Sequence, residues 1–520
     1  MRKSILTYRL KFCLAAICIF TIQGFAQEKA QNPIIHADVP DMSIIRVDDT
    51  YYMSSTTMHM SPGVPIMKSN DLINWKLVNY AYSRLVENDA MNLKNGEQTY
   101  GRGSWASSLR FHKSVYYLST FSATSGKTHI YTTKDIEKGP WEVHEFAPAY
   151  HDHTLFFEDG KIYMIWGAGK LNIVELEEDF SGVKKDTERV LITNATAPIG
   201  DKIILPAEGS QLFKYKSKYY LFNIAWPRGG MRTVIIHRAD KITGPYEGRI
   251  ALQDQGVAQG GLIETPEGNW FSYLFQDSGA VGRIPYLVPV KWEHDWPVLG
   301  VNGKVPENLQ LPASKGLIPG IVNSDDFSRK EGEKPLPFVW QWNHNSDDSL
   351  WSLEERPGFL RLKTGRIDTT FLQARNTLTQ RTIGPVSSGS VKIDVSNLKN
   401  GDFAGLGLLQ KKYGFIGVTS KGDQKTILMT KSVDEGVISK IDLNQNILYF
   451  KITCNFKNRK DEANFYYSLD GTNWKQLGNT LKMEYTLPHF MGYRFGLFNY
   501  ATKNTGGYVD FDFFEIKNTI

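Results

Sequence analysis

Cysteine is scarce in this chain of 520 residues, which contains 3 in total. Cys13 and Cys18 lie near the start, so only Cys454 remains in the rest of the chain, within an alternating apolar run typical of a buried strand. A single thiol forms no internal disulfide and cannot build a cysteine zinc site, and no HExxH pair is present. The chain must therefore be stabilised by its hydrophobic core.

Long apolar runs and a charge excess are also missing. After residue 26 no stretch reaches about 18 uncharged apolar residues, the length that a membrane helix requires. The chain has 60 Lys and Arg against 55 Asp and Glu. Four of the basic residues precede residue 27, which leaves 56 minus 55, or +1. We therefore expect no membrane span in the mature chain and no nucleic-acid partner.

The first 26 residues have the features of an export signal. Residues 1–11 are basic, residues 12–21 are apolar, and Gly24-Phe25-Ala26 offers a small-x-small cleavage site. This pattern predicts a signal peptide over residues 1–26, because the apolar run is too short to span a membrane. We expect an exported, periplasmic protein. Secretion, or lipid attachment at Cys18 on the cell surface, are the alternatives.

Helical periodicity is nearly absent, and a strand–turn–strand pattern recurs instead. Each copy has a short apolar strand, a polar turn and an aromatic-rich strand, and the second strands begin at Tyr51, Tyr116, Ile162, Tyr219 and Trp270. These intervals suit a four-stranded propeller blade of roughly 40–50 residues plus loops. Residues 33–315 are therefore predicted to form a five-bladed β-propeller, with a large β-sandwich or β-helix as the alternative.

The pattern changes after Leu317–Gly320, which is predicted to connect two domains. Alternating strands without a visible repeat follow, which favours a concanavalin-like β-sandwich over residues 322–520. The fold class is therefore all-β. The sandwich could bind polysaccharide, brace the propeller or lend a loop to its pocket, and the sequence leaves these roles open.

The candidate site residues occupy one equivalent position in each repeat. Counting back six residues from the end of each first strand gives Asp41, Trp105, His151, Glu208 and Gln259, and Asp152 adjoins the third. The first strand of every blade lines the central channel, so these side chains are predicted to meet at one end of it. The alternative is a set of solvated rim acids that cap loops.

Three converging carboxylates suit either a hard-cation site or acid–base hydrolysis of a glycosidic bond. Trp105 favours the second, because its flat face can pack against a sugar ring. No GxSxG motif occurs, and Gly167–Lys170 lacks the glycine and hydroxyl residues of a P-loop. His59, His151 and His153 could bind metal, or could be solvated or hydrogen-bonded like most isolated histidines.

Several segments together resemble glycoside hydrolase family 43 over almost the whole mature chain. In the front half they are Ala37–Asp41, Ser61–Ile66, Asp71–Trp75, Gly103–Ala106, His151-Asp152, Glu208-Gly209 and Gly282–Trp292. In the rear half, Trp340–His344 and Trp351–Leu353 are similar to the β-sandwich appended in several subfamilies. The likeness is to members of the arabinofuranosidase and xylosidase type.

The resemblance implies an inverting mechanism. Asp41 would be the general base that activates water, and Glu208 the general acid. Asp152 would orient Glu208 and keep its pKa high. Asp38 is a rival for the base, but both the repeat register and the family pattern favour Asp41. Inversion leaves room for a water, so the Asp41 and Glu208 carboxyls are expected roughly 6.5–9.5 Å apart.

The resemblance also suggests the residues that contact the sugar. They are Trp105, Arg283, Gln259 and His59, and Arg283 would also fix the catalytic carboxylates. Gln259 stands where many members carry a histidine, sometimes linked to a bound cation. No cofactor is expected to be required and no metal ligand is assigned, although a structural Ca²⁺ is compatible with the sequence.

The predicted function is removal of terminal α-L-arabinofuranosyl residues from plant cell-wall oligosaccharides or polysaccharides. A β-D-xylosidase is the second candidate, because arabinofuranose and xylopyranose present similar hydroxyl geometry. A carbohydrate-binding propeller that has lost the chemistry is the alternative from another class.

Overall fold

The computed structural model describes residues 29–330, 332–432 and 436–520. The predicted signal peptide, with Cys13 and Cys18, lies outside these residues. Within the described ranges no helix is long and apolar enough to cross a membrane. The helical segments described there are short 3-10 turns at Ala197–Ile199, Gly279–Val281, Asp348–Leu350, Phe371–Gln373 and Lys457–Arg459. The fold is therefore all-β, as the sequence predicts.

The front half of the chain forms the blades of a propeller. After β1 (Lys29–Gln31), the first blade region contains β2 (Ser43–Val47), β3 (Thr50–Ser54), β4 (Met60–Ser61), β5 (Gly63–Ser69) and β6 (Lys76–Tyr82). The second blade is β7 (Ser107–His112), β8 (Val115–Ser122), β9 (Lys127–Thr133) and β10 (Glu142–Phe146). The third is β11 (Thr154–Glu158), β12 (Lys161–Ala168), β13 (Lys170–Glu175) and β14 (Arg189–Ile192).

The last two blades also contain four strands each. The fourth is β15 (Ile203–Tyr215), β16 (Lys218–Pro227), β17 (Thr233–Ala239) and β18 (Glu247–Leu252). The fifth is β19 (Ala258–Glu264), β20 (Trp270–Asp277), β21 (Arg283–Glu293) and β22 (Trp296–Leu299). Each blade is a four-stranded antiparallel sheet in chain order, and the first omits β4. The predicted five-bladed β-propeller is confirmed.

The five predicted hairpins are the two inner strands of each blade. In the first four hairpins the turns are tighter than the sequence indicates, because the strands extend further into them. Lys113 and Ser114 have φ values of 48° and 62°, and Lys216 and Ser217 have 45° and 65°. Positive φ at both central residues is the type I′ geometry, whose twist matches that of the paired strands.

The innermost strands form a closed ring around the channel. β2, β7, β11, β15 and β19 are neighbours in that order, and β19 returns to β2. Inside the ring, the Arg110 guanidinium donates to the Leu155 carbonyl at 2.8 Å and to Gln211 Oε1 at 2.9 Å. It also approaches Ser43 Oγ at 3.4 Å. Arg110 thus joins four blades.

A separate two-stranded sheet ties the start of the propeller to its end. β1 pairs antiparallel with β23 (Asn308–Pro312). Near it, the Asn32 side chain donates to the carbonyls of Leu287 and Pro306, both at 2.8 Å. These contacts join the segment before the first blade to the fifth blade and its exit.

The rear half forms two facing sheets. The strands are β24 (Gln341–Asn343), β25 (Trp351–Ser352), β26 (Leu360–Lys363), β27 (Leu378–Arg381), β28 (Val386–Asp394), β29 (Asp402–Leu409), β30 (Gly414–Lys421) and β31 (Gln424–Lys431). They continue with β32 (Val437–Leu443), β33 (Ile447–Asn455), β34 (Glu462–Ser468), β35 (Lys475–Gln476), β36 (Leu481–Lys482), β37 (Arg494–Ala501) and β38 (Tyr508–Lys517). One sheet has the order β32-β31-β30-β29-β37-β27-β24-β4, and the other β25-β26-β38-β28-β33-β34-β35, with β36 paired to β34.

The propeller and the sandwich are joined by a shared sheet. β4 leaves the first blade and pairs with β24, matching Ser61 to Trp342 and Met60 to Asn343. The largest group of buried apolar side chains also runs through both domains, from Tyr80 and Leu274 to Trp342 and Phe495. Cys454 is buried in this core, as its alternating run predicts. The sandwich therefore has a fixed position against the propeller.

Candidate active site

Side chains and backbone from all five blades line one small cavity at an end of the channel. Its lining residues are Asp41, Met42, Ala106, Asp152, His153, Gly209, Ser210, Gln211, Gln259 and Gly260. Asp41 and Gly260 are more than two hundred positions apart in the chain. The ring of innermost strands brings them together, as the repeat register predicts.

The backbone just before or within these strands has a common conformation. Asp41, Asp152 and Gln259 have φ values of 52°, 46° and 51°, and Gly209 has 67°. The shared left-handed residue identifies Gly209 and Asp152, rather than Glu208 and His151, as the equivalents of Asp41. The count from sequence is therefore wrong by one residue in the third and fourth blades. It is also wrong by one in the second blade, where Ala106 rather than Trp105 lines the cavity.

Bulges explain how Glu208 still reaches the site. The pairing of β15 with β16 shifts register on both sides of Glu208, and β19 has a similar irregularity next to Gln259. Bulges bend a strand and redirect side chains, and they are frequent beside active sites. A Cβ on Gly209 would lie 2.9 Å from the Gln259 side chain, so this turn requires glycine.

Asp41 is held by a buried ion pair. One Arg283 guanidinium nitrogen, Nη1, donates to both Asp41 carboxylate oxygens, at 2.8 and 2.9 Å. The Thr56 hydroxyl donates to Asp41 Oδ2 at 2.6 Å. The two charged side chains are 5% and 3% exposed. This network fixes the carboxylate, and it includes Thr56, which no sequence motif indicates.

Asp38, the rival for the base, has a structural role. Its carboxylate accepts the backbone N–H of Arg283 at 2.8 Å and that of Gly492 at 3.0 Å. Burial raises the pKa of Asp38, although the Arg283 charge and these hydrogen bonds act against the increase. Because its two oxygens join the propeller to a loop of the sandwich, Asp38 is not free to activate water.

Glu208, His151 and Asp152 form a second polar group. His151 Nε2 lies 3.0 Å from Glu208 Oε2 and 3.9 Å from Asp152 Oδ2. One polar atom of each residue lies within 4.8 Å of the other two. Burial, with the negative charges of Glu208 and Asp41, raises the pKa of Asp152 to about 7, although His151 opposes the increase.

His151 has the opposite environment from the other buried histidines near the site. Burial alone would lower its pKa, but the hydrogen bond to Glu208 and the charge of Asp152 outweigh it and raise the pKa to about 9. Burial lowers the pKa of the neighbouring His153 to about 4, and its Nδ1 lies 2.9 Å from the Tyr150 carbonyl. The two histidines that flank Asp152 therefore differ in charge at neutral pH.

An aromatic wall lies beside these carboxylates. The Trp105 ring is half-buried, and its centroid lies 6.3 Å from that of Phe121 and 5.1 Å from that of Phe490. Phe490 belongs to the sandwich, and its ring also covers the Arg283 guanidinium at 4.6 Å. The sandwich thus both braces the propeller and contributes a side chain to the site.

His59 lies elsewhere, contrary to the prediction that it contacts a sugar. Its side chain is 0% exposed and packs against the rings of Tyr100, His344 and His489. The physical reason is the backbone on each side of it. Met58 pairs with Ser104 and Met60 joins the sandwich sheet, which directs His59 into the joint between the domains.

Besides Thr56, two features of the site were not predicted from the sequence. Phe490 lies in an irregular loop between β36 and β37, where no periodicity or motif marks it. The contact of His151 with Glu208 depends on a bulge that the sequence does not indicate. Gln259 lines the cavity, Arg283 contacts Asp41, and Trp105 packs beside Phe490. Their contact with a sugar stays a prediction.

Asp41 on one side of the site, and Asp152 with Glu208 on the other, suit different proton transfers. Asp41 is fixed as an anion partner of Arg283, whereas Asp152 and Glu208 share a region of crowded negative charge relieved by His151. A fixed carboxylate suits proton abstraction, and crowded carboxyls suit proton donation. His151, Asp152 and Glu208 could also ligate a cation, since their polar atoms lie close together.

Both halves of the chain match known domain families. Residues 30–297 match glycosyl hydrolases family 43, and residues 324–517 match the beta xylosidase C-terminal concanavalin A-like domain. A beta-xylosidase of Formosa agariphila is 30% identical over 93% of this chain and 89% of its own length. A non-reducing end alpha-L-arabinofuranosidase of Bacteroides ovatus is 26% identical over 80% of each chain.

A solved structure extends the comparison to the whole fold. The bifunctional GH43-CE protein of Bacteroides eggerthii is 66% identical and superposes with a TM-score of 0.94 over 95% of this chain. The chain spans 64% of the length of that protein. With a matching propeller, a matching sandwich and similarity along nearly its full length, the chain belongs to glycoside hydrolase family 43.

Proposed function

We propose that this protein is an exo-acting, inverting glycosidase that releases one terminal pentose, preferably β-D-xylose, from plant cell-wall oligosaccharides. The observation that carries the proposal is the convergence of Asp41 and Asp152, from different blades, on one small cavity at an end of the channel. Arg110 bonds to Gln211 of the cavity lining and to the third blade, and Phe490 of the sandwich packs against Trp105. A blind pocket suits a chain end, whereas an endo-acting enzyme needs an open groove.

In the proposed mechanism Asp41 accepts a proton from water as the water oxygen bonds to the anomeric carbon. The bond from that carbon to the leaving oxygen breaks, and its electron pair stays on the oxygen. Glu208 protonates this oxygen, so the products are a free pentose of inverted configuration and a shortened acceptor. Arg283 and Thr56 hold Asp41 so that one carboxylate edge faces the water.

Asp152 acts on Glu208 through its charge. With a pKa near 7, its carboxyl is partly protonated at neutral pH. When it ionises, it places a negative charge close to the Glu208 carboxyl and to the His151 ring. Trp105 offers a flat face to the sugar, and Gln259 offers an amide at the cavity wall.

The choice of sugar rests on two different observations. The C-terminal domain match and the similarity to the Formosa enzyme support a β-D-xyloside. The similarity to the Bacteroides ovatus enzyme supports the α-L-arabinofuranoside, which is the substrate predicted first from the sequence. We propose the xyloside as the preferred substrate and the arabinofuranoside as the second.

The proposal includes export to the periplasm, on the strength of the predicted signal peptide. Short xylan or arabinoxylan fragments are the expected substrates there. No cofactor is needed for the proposed steps, because each proton transfer is assigned to a side chain of this chain.

The test is a comparison of 4-nitrophenyl β-D-xylopyranoside with 4-nitrophenyl α-L-arabinofuranoside, followed by xylo-oligosaccharides. We expect turnover of both aryl glycosides with higher kcat/KM for the xyloside, and release of xylose from chain ends. Proton NMR should show α-xylose as the first product of a β-xyloside. Binding of xylo-oligosaccharides without turnover would support the non-catalytic alternative, and a β-anomer as first product would exclude inversion.

A further inference from the structure

His151 contacts the proposed general acid directly, and no step above uses it. Its Nε2 lies 3.0 Å from Glu208 Oε2, which is a hydrogen-bond distance. The His151 side chain is 46% exposed, whereas that of Glu208 is 19% exposed. The contact joins the third and fourth blades, so it is not a product of local chain geometry.

The backbone explains why His151 is directed at Glu208. Asp152 adopts a left-handed conformation, with φ of 46°, immediately before its strand. This turn places Asp152 at the cavity wall and directs the preceding side chain toward the next blade. The edge of the His151 ring also meets Phe121, at a centroid distance of 5.3 Å, which limits its rotation.

We propose that His151 is a positioning residue for Glu208, donating Nε2–H to Oε2 so that Oε1 carries the proton delivered to the leaving oxygen. This inference rests on the proposed function and extends it. A carboxyl held at one oxygen cannot rotate freely, so its acidic proton is presented in one direction. After the transfer, the same hydrogen bond stabilises the carboxylate that remains on Glu208.

The groups that face His151 are mostly acidic. Glu208 and Asp152 face it as acids, His153 lies behind Asp152 as a buried neutral base, and Phe121 is uncharged. A neutral amide donor at position 151 can keep the hydrogen bond to Glu208 without adding a charge.

The experiment compares His151→Phe with His151→Gln. Phenylalanine keeps a ring and its contact with Phe121 but donates no hydrogen bond, whereas glutamine can place an amide donor near the position of Nε2. Each variant is assayed on two substrates. Xylobiose has a poor leaving group, a xylose hydroxyl that must be protonated. 2,4-Dinitrophenyl β-D-xyloside releases dinitrophenolate, which departs without protonation. His112→Asn, on the strand of the second blade away from the cavity, is the matched control.

We expect His151→Phe to lower kcat/KM on xylobiose by about 10- to 100-fold, the effect of one hydrogen bond to a charged group. Its activity on the dinitrophenyl glycoside should change less than about threefold. His151→Gln should recover most of the xylobiose activity. His112→Asn should behave as the unmodified protein.

Equal losses on both substrates would overturn the proposal, because a purely structural defect affects both. Unchanged xylobiose activity in His151→Phe, or no recovery of that activity in His151→Gln, would also overturn it. Failure of the proposed function has a different signature. In that case the unmodified protein does not hydrolyse either xyloside, or Glu208→Gln shows no dependence on the leaving group.

Discussion

Arg283 Nη1 contacts both carboxylate oxygens of Asp41, at 2.8 and 2.9 Å, although the two residues belong to the fifth and first blades. Both side chains are almost completely buried. The pair joins the ends of the propeller ring at the point where the proposed base is located. One contact therefore serves both the closure of the fold and the orientation of a reacting group.

Breaking this pair should destabilise the protein. Arg283→Met leaves a buried carboxylate without its partner, which costs about 3–5 kcal/mol of unfolding free energy. The measurement is urea denaturation of Arg283→Met, Asp41→Asn and the double variant. The double variant should lose clearly less than the sum of the two single losses, and additive losses would contradict the pairing.

Asp152→Asn should reduce turnover without disturbing the fold. It keeps the shape of the side chain but removes the carboxyl group and its charge from beside Glu208, so kcat on xylobiose should fall by about 10²-fold or more. Asp159→Asn is the matched control, because Asp159 lies in the turn at the opposite end of the same strand, β11. If both variants lost activity equally, a local role for Asp152 would be excluded.

Phe490→Ala should weaken substrate binding. The ring stands between Trp105 and the Arg283 guanidinium, so its removal opens the wall of the pocket to water. We expect KM for xylobiose to rise about tenfold, with a smaller change in kcat, in steady-state kinetics. Leu487→Ala in the same loop is the control, since Leu487 is 71% exposed. An unchanged KM in Phe490→Ala would show that the sandwich contributes no wall.

Acid should destabilise the protein through its buried histidines. Burial holds the pKa of several of them below the ordinary 6.5: about 4 for His36, His153 and His237, about 3 for His489, and well below it for His59 and His344. The unfolded chain therefore binds protons first, and stability is lost as the pH falls from about 6.5 toward 4. Asp152 and Asp402, with pKa values raised to about 7 and about 6, act in the opposite sense.

This acid effect can be assigned to single residues. His237→Leu should reduce the slope of unfolding free energy against pH by up to about 1.4 kcal/mol per pH unit between pH 6.5 and 4. His294→Asn, at an exposed turn, should leave the slope unchanged. Urea denaturation at several pH values in this range measures both. Equal slopes in the two variants would contradict the assignment to buried histidine.

The blade count and the convergence of Asp41, Asp152 and Glu208 could be predicted because propeller repeats impose a register. The exact register could not, since the bulges beside Glu208 and Gln259 arise from strand pairing rather than from composition. The repeat pattern identifies Gln259, whereas Arg283 follows only from the resemblance to family 43.

Contacts between the two domains could not be predicted from the sequence. Phe490 reaches Trp105 only because β4 fixes the sandwich against the first blade. The prediction that His59 contacts a sugar is wrong for the same reason. No sequence pattern indicates the shared sheet that buries this residue. The sequence thus predicts what a repeat dictates, and it does not predict what two domains form together.

The most direct test of the central claim is a crystal structure of Glu208→Gln with xylobiose. We expect one xylose in the cavity, with the linking oxygen within hydrogen-bond distance of residue 208 and a water between Asp41 and the anomeric carbon on the opposite face. A sugar bound away from these residues, or residues 41 and 208 on the same face of the ring, would contradict it.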